Sequence, residues 1–399
     1  MDIKSYALGF MTGKKSGGGG GGELNIAYGD TPPEDTSKLW VKTDKPNEVR
    51  IVPVLPEGSK ITTLDEKLPV TISGMRAVSV GKKVYLFGGY DGAVRYAIME
   101  FDTETQKIRT LDKTTPNKIQ GFATAVIGTK IYLFGGNTGS ATLNTIVEFD
   151  TETHDVKTLD ATLPVQNQGV SAATVGTKVY LFGGYYTSRY NRIDVFDAET
   201  KKVTTLSTKL PTATMDIATA ALGTKIYLFG GNAATKLATI NVFDTITQRI
   251  VTSFEELPSD CSSFGSCVIG QKAYLFGGSA TSGRLDTIVE FDYTTRQIKT
   301  LGERLPAAAH SIATAVVGQK VYLFGGNTGT ERLDTINEFH LSFQLDNNNL
   351  VVLGNSSANP LYLLPNAEIG VDSVYKGNES NEAEPIEAAI YKDGEWANI

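Results

Sequence analysis

The residue types that most often carry out chemistry are few and scattered in this 399-residue chain. It has three histidines, His154, His310 and His340, and two cysteines, Cys261 and Cys267. A metal site or a catalytic triad needs several such residues to converge within coordination or hydrogen-bonding distance. The repeat described below places His310 at one end of the fold and the other two histidines at the opposite end. The sequence therefore predicts no cofactor, no metal ion and no catalytic residue, and we expect a protein that is not an enzyme.

Tyrosine and arginine, in contrast, are concentrated in two short segments. The residues concerned are Tyr90, Arg95 and Tyr96 in the first segment and Tyr185, Tyr186, Arg189 and Tyr190 in the second. Tyrosine provides a large contact area at low entropic cost, and arginine adds charged hydrogen bonds. We expect these seven residues to bind a carbohydrate or a protein. The alternative is that the tyrosines only cover the edge of a sheet.

Both segments belong to an internal repeat of 47 or 48 residues. The string Tyr-Leu-Phe-Gly-Gly occurs six times, starting at Tyr85, Tyr132, Tyr180, Tyr227, Tyr274 and Tyr322. Each copy reads as four strands: a small apolar strand, the buried Tyr-Leu-Phe strand, a strand that ends in Phe-Asp, and an alternating strand with one polar face. A four-stranded sheet repeated at this period is typical of a β-propeller blade.

The direction of the strands places the loops. Consecutive strands are antiparallel, so the loops between second and third strands share one end of the propeller, the top face, with the connections between blades. The tyrosine- and arginine-rich segments are two of these loops. The corresponding loops of blades two, four, five and six carry mostly small residues with single charges, such as Lys236. We therefore expect binding energy to be concentrated on blades one and three.

The ring must close, and the chain end after Phe339 lacks a fourth-strand pattern. Ile61 and Leu64 instead keep the distances from Pro69 that fourth-strand residues of other copies keep from their prolines. We predict that Lys60–Leu64 completes blade six. The predicted fold class is all-β: a six-bladed propeller closed by an N-terminal strand, with small β-rich flanking modules.

The glycine pair that ends each second strand resembles the kelch-repeat family over residues 60–345, about 70% of the chain. The resemblance implies a kelch-type propeller. The sequence departs from the family pattern because no fourth strand has a tryptophan; Trp40 and Trp396 both lie outside the repeats. Kelch propellers include both binding modules and enzymes, so the fold alone does not give the function.

Two alternative functions stay open from this resemblance. An enzyme that resembles the kelch-type mutarotases, acting on a sugar, would use Arg76, Asp216 and Asp260 near the central channel. Polar residues that merely line a wet channel are the simpler interpretation. A host protein-interaction scaffold is the other alternative.

The sequence divides into residues 1–22 (a tip and a glycine linker), 23–55 (a small β module), 56–345 (the propeller) and 346–399 (a small C-terminal β module). The segments Thr36–Val41 and Tyr391–Trp396 resemble tail or fibre proteins from phages of Gram-positive bacteria. The resemblance implies a phage or prophage tail, baseplate or virion-surface component, located in the virion and assembled in the bacterial cytoplasm. Its N-terminal arm and C-terminal module would bind other virion or tail proteins, and its propeller would bind a host-surface carbohydrate or protein.

Charge and hydropathy exclude two classes of partner. The formal net charge is −7, whereas nucleic-acid binding needs a basic surface. The sequence also lacks an apolar run of about 20 residues, the length that crosses a bilayer. We expect no nucleic-acid partner and no membrane insertion.

Overall fold

The computed structural model describes residues 58–342 continuously and eight short strands outside them. These strands are Ile26–Gly29, Leu39–Lys42, Val352–Gly354, Pro360–Tyr362, Tyr375–Gly377, Ala383–Pro385, Ala389–Lys392 and Glu395–Asn398. They form four two-stranded pairs in that order, the first parallel and the others antiparallel. The predicted tip and glycine linker lie outside the described residues. Among the described residues, no helix could span a membrane.

Ser59–Leu341 is a compact unit of six four-stranded antiparallel sheets, which confirms the six-bladed propeller. Blade one comprises Arg76–Val80, Lys83–Phe87, Ala97–Asp102 and Lys107–Thr114. Blade two comprises Ala123–Ile127, Lys130–Phe134, Thr145–Asp150 and Val156–Thr162. Blade three comprises Ser171–Val175, Lys178–Phe182, Ile193–Asp197 and Lys202–Thr205.

The other three blades repeat this order. Blade four comprises Ala218–Leu222, Lys225–Phe229, Thr239–Asp244 and Arg249–Glu256. Blade five comprises Gly265–Ile269, Lys272–Phe276, Thr287–Asp292 and Ile298–Arg304, with a small hairpin of Ser279–Ala280 and Gly283–Arg284 in its second-to-third loop. Blade six comprises Ala313–Val317, Lys320–Phe324 and Thr335–Ser342, and its fourth strand is Gly58–Lys67.

The N-terminal strand Gly58–Lys67 closes the ring, as the sequence predicts. It lies beside the third strand of blade six, where the Thr63 hydroxyl donates to Asn337 Oδ1 at 2.7 Å. Its Ile61 N–H donates to Glu303 of blade five at 2.9 Å. The first strand of every blade contacts those of both neighbouring blades, so the innermost strands form a complete circle. No blade in the described ring is left with an uncovered face.

Aromatic rings join each blade to the next. The phenylalanine that ends a third strand is fully buried and packs on the second strand of the preceding blade. Phe149 of blade two, for example, lies 5.4 Å from both Tyr85 and Phe87 of blade one, measured between ring centroids. Aromatic pairs at this distance contribute beyond the area they bury. The repeated Tyr-Leu-Phe and Phe-Asp motifs are therefore the contact surfaces between blades.

The glycine pair is required by the close approach of two backbones at the boundary between blades. At Gly277, with a φ of +61°, an added Cβ would lie 2.4 Å from the carbonyl oxygen of Ala309 in the next inter-blade connection. The following Gly278 donates its N–H to that same carbonyl at 2.8 Å. The same arrangement recurs in all six blades. Each pair lets one backbone approach another closely enough to hydrogen-bond, and no side chain would fit.

The bottom face consists of the turns between first and second strands and the turns between third and fourth strands. In blade two, Asp150 Oδ1 accepts the N–H groups of Glu152 and Thr153, and equivalent bonds occur in blades one, three, four and five. His154 follows this turn, and its Nε2 lies 3.5 Å from a Glu100 carboxylate oxygen. The aspartates are therefore turn formers.

Candidate functional site

The top face opens into a cavity of about 620 Å3 that is lined by all six blades. Its wall consists mainly of Ala, Gly, Ser and Thr from the first strands. Arg76 of blade one and Asp216 of blade four line the cavity from opposite sides of the ring. The other first strands have small residues where blade one has Arg76: Ala123, Ser171, Ala218, Gly265 and Ala313.

A ring of left-handed residues surrounds this cavity. Its six members are Gly74, Gly121, Gly169, Asp216, Ser263 and Ser311, one from each inter-blade connection, and all have a positive φ. Backbone hydrogen bonds of 2.7–3.2 Å run from member to member across five of the blade boundaries. Glycine is the usual residue in this conformation, and aspartate tolerates it better than most. The ring fixes the carboxylate of Asp216 at the cavity.

Burial shifts the pKa values of Asp216 and Arg76, and the charge of each residue partly offsets the shift of the other. Burial raises the pKa of Asp216, and the charge of Arg76 together with a hydrogen bond from Ser263 acts in the opposite direction. Burial lowers the pKa of Arg76, and the charge of Asp216 opposes this. Both residues line the cavity, and among the described residues no ion pair of 4 Å or less joins them.

Four consecutive blades place a basic residue at the same position of the second-to-third loop. These residues, which we call the cationic crown, are Arg189, Lys236, Arg284 and Arg332. Each pairs in a short β-bridge with the first residue after its glycine pair or lies in the equivalent hairpin. Blades one and two have Val94 and Thr142 at this position. The crown therefore occupies the top-face loops of four of the six blades, and its members do not line the cavity itself.

Crown residues reach across blade boundaries. The contacts join Arg189 Nη2 to Asn232 Oδ1 at 3.2 Å, Lys236 Nζ to Ser279 Oγ at 2.7 Å, and the Arg332 guanidinium to the face of the Tyr90 ring at 4.5 Å. Arg284 Nη1 also donates to Ser279 Oγ, at 2.5 Å. All these partners are neutral. Within the described part of the chain, no carboxylate oxygen lies within 4 Å of a crown cation.

His310 lies in the cavity, close enough to two crown residues for their charges to affect its pKa. Its imidazole lines the cavity, and Nδ1 lies 2.9 Å from the Ser311 hydroxyl. Burial, and then the charges of Arg284 and Lys236, lower the pKa of His310 to about 4. The ring is therefore neutral at physiological pH. The predicted placement of His310 at the top face is confirmed.

The seven residues predicted to bind a ligand fall into two groups. Tyr90 and Tyr185 line the cavity, and Arg189 belongs to the crown. The other four lie elsewhere on the same loops. Arg95 is paired with Asp91 at 2.6 Å, Tyr96 and Tyr186 are exposed, and Tyr190 is partly buried with its N–H bonded to the loop backbone. Tyr90 and Tyr185, from different blades, thus share the cavity, and Arg189 pairs in a β-bridge with Tyr185.

The three residues considered for an enzyme do not form one cluster. Asp260 is absent from the cavity lining, and its carboxylate accepts the hydroxyl and N–H of Thr281, which lower its pKa. Only Arg76 and Asp216 share the cavity. Both cysteines are buried and free, and burial raises the pKa of the Cys261 thiol to about 12. Among the described residues, no group of three or more His, Cys, Asp or Glu side chains could hold a metal ion.

Lys236, Arg284 and Arg332 were not part of the site predicted from sequence. The loops of blades two, five and six are one residue longer than the others, so counting forward from the glycine pair hides the shared position. Counting back four residues from the isoleucine at the start of each third strand reveals it. Lys236, expected to contribute little, lies in the crown.

The family comparison agrees with this geometry. The model of the KLHDC2/KLHL20/DRC7 Kelch-repeats domain matches residues 74–278 and 207–349, which together cover more than half of the chain. The curated proteins that were compared include no match to the sequence. The six blades, the glycine pairs and this match show that the chain belongs to the kelch-repeat family.

Proposed function

We propose that this kelch propeller is a binding module, not an enzyme, and that its top face holds an anionic segment of a partner protein. The observation that carries the proposal is the cationic crown. Four cations lie on the top-face loops of consecutive blades, and their hydrogen-bond and ring partners among the described residues are neutral. An incoming carboxylate would gain charge-assisted hydrogen bonds without first breaking an ion pair.

The surroundings of the crown suit a peptide. Tyr90 and Tyr185 line the cavity beside the crown, and the cavity behind them has a size suitable for a few side chains. The two tyrosine rings supply contact area, and the charges of the crown orient the peptide and select for acidic ones. The crown provides only four cations, whereas nucleic acids need a basic stripe along many phosphates. The acidic chain as a whole also disfavours that partner.

The experiment is a binding titration with the purified full-length chain. The probe is a fluorescent hexaglutamate peptide, with a hexaserine peptide for comparison. Wild-type protein should bind the acidic peptide, and added salt should weaken the binding. Replacing Arg284 and Arg332 with alanine should raise the Kd by about tenfold or more, because hot-spot truncations cost about 2 kcal/mol each when fully realised.

The matched control replaces Lys157 and Lys299, which are exposed on outer strands, and removes the same charge. Equal losses in the crown and control variants would mean that net charge alone draws the peptide, and would overturn the proposal. A third variant, with Tyr186, Arg189 and Tyr190 changed to alanine, tests the concentration of energy on blade three. A loss there with no loss at Arg284 and Arg332 would place the site on the tyrosine-rich loop.

The resemblance of the chain ends leads to a second, finer proposal. We propose that the binding module is carried on a phage or prophage tail particle, with the N-terminal arm and C-terminal module attached to other virion proteins and the crown turned toward the host surface. The supporting observation is the sequence of Thr36–Val41 and Tyr391–Trp396. Tail, baseplate and lysis genes should flank its gene. A neighbourhood without such genes would favour the host interaction scaffold.

A further inference from the structure

The outer edges of the six blades are not equivalent. A fourth strand has one unpaired side, and natural proteins protect such edges with charges or short strands. In each fourth strand, one residue pairs with the buried Phe of the third strand. The residue that follows it is polar in five blades: Arg109, Lys157, Thr204, Lys299 and Thr62. Three residues further on, the same blades have Asp112, Asp160, Ser207, Gly302 and Asp65. Polar residues or glycine occupy both positions in these blades.

Blade four differs at both positions. It has Val251 and Phe254, whose side chains are 60% and 104% exposed. Ile246, in the preceding turn, is 74% exposed where blades one to three have glutamate. Five consecutive residues, Ile250–Phe254, carry no charge on an eight-residue edge strand. This edge lacks the protection that the other blades have.

The ends of the strand are oppositely charged. Arg249 begins it and Glu256 ends it, and both are exposed. Neither has an ion-pair partner among the described residues, whereas the neighbouring Glu255 is bound by Arg296 at 3.1 Å. A strand with this order of charges is complementary to a second copy of itself that runs in the opposite direction.

We propose that two copies of the chain associate edge to edge through the Arg249–Glu256 strands of blade four, in antiparallel orientation. Two-fold symmetry places the Arg249 end of each strand beside the Glu256 end of the other. The apolar residues at the centre of one strand then cover those of the other. The unpaired backbone groups of each edge then bond to the partner. The pair is closed, because each copy has one such edge within the described ring.

Sedimentation velocity of the full-length chain over a wide concentration range tests the pairing. The weight-average mass of the wild type should rise toward roughly twice its low-concentration value. The double variant Val251→Lys and Phe254→Asp should raise the dissociation constant by about tenfold or more, since it removes two buried apolar side chains. These residues occupy the same positions in blade two, so the fold tolerates them. Alanine at Lys157 and Asp160 is the control, and it should leave association unchanged.

A charge exchange tests the antiparallel register. Arg249→Glu and Glu256→Arg should each weaken association, and the two together should restore it, because each end then meets its complement again. Restored association in the double variant could not be explained by a nonspecific change in surface hydrophobicity or charge. If the wild type and the Val251→Lys, Phe254→Asp variant sediment alike at every concentration, the proposal is wrong. Failure of the exchange to restore association would overturn the antiparallel arrangement.

Discussion

Replacing His310 with glutamine should remove a specific loss of stability in mild acid. The folded propeller holds His310 with a pKa of about 4, below the ordinary value of 6.5, because of burial and the nearby charges of Arg284 and Lys236. The folded state therefore binds this proton less readily than the unfolded state. The stabilisation is fully present above pH 6.5 and is lost as the pH falls toward 4.

The magnitude follows from the two pKa values. Each tenfold change in proton affinity corresponds to about 1.4 kcal/mol, so the full loss is ~3 kcal/mol, of which ~2 kcal/mol is reached by pH 5. Carboxylates with a lowered pKa, such as Glu100 and Glu148, lose their contribution only at a lower pH. Burial raises the pKa of Asp216, which changes the stability in the opposite direction as the pH falls, so the difference between the wild type and the glutamine variant is what isolates the histidine.

Urea unfolding followed by far-ultraviolet circular dichroism measures this loss. Tryptophan fluorescence is unsuitable because Trp40 and Trp396 lie outside the propeller. Glutamine occupies the position of His310 in blades two and three, as Gln120 and Gln168, so the variant preserves the loop. Its stability should fall ~2 kcal/mol less than that of the wild type between pH 7.5 and 5. Gln168→Ala, the control, should shift stability equally at both pH values. Parallel wild-type and glutamine curves would refute the reasoning.

Two further changes test the ring itself. Deleting residues 1–67 removes the closing strand and should give unfolded or aggregated protein, whereas deleting residues 1–22 should leave the melting temperature of the propeller unchanged; similar melting of both forms would argue against N-terminal closure. Gly277→Ala should destabilise the fold by about 2–4 kcal/mol, because its Cβ would collide with the Ala309 carbonyl at a positive φ. Gly302→Ala, where the space is open, should change the unfolding free energy by less than about 0.5 kcal/mol in a denaturant titration. Equal effects of the two alanines would show that the close approach is not what selects the glycine pair.

The fold could be predicted from sequence because each blade repeats the same contacts. A position that must approach a neighbouring carbonyl can only be glycine, so the pairs recur at a fixed spacing. The closing strand was also readable, since Ile61 and Leu64 meet the same neighbours as other fourth-strand residues. Repetition makes six weak local signals into one strong signal.

The sites resisted prediction because they lie where the repeat is broken. A one-residue difference in loop length conceals the position shared by Lys236 and Arg332. The exposure of Phe254 was hidden by a bulge: Thr239 pairs with Glu256 and Asn241 with Thr252, so alternation fails between them. The alternation of side chains along a regular strand does not predict which face of the sheet such a residue occupies. These features needed the strand pairing itself.

The crown cations differ from many other basic residues of the propeller, which are paired with carboxylates, and this contrast supports the crown as a binding site. Among the six lysines that begin the second strands at the bottom face, four lie within 4 Å of a glutamate. Lys130 Nζ, for example, lies 3.0 Å from Glu148, and Lys272 Nζ lies 2.7 Å from Glu290. On the top face, the crown cations have only neutral partners among the described residues. The negative net charge belongs to the chain ends, because residues 58–342 contain 28 Lys and Arg against 27 Asp and Glu. An anionic partner therefore meets a ring that is close to neutral overall, and the crown is where cations lack a carboxylate at ion-pair distance.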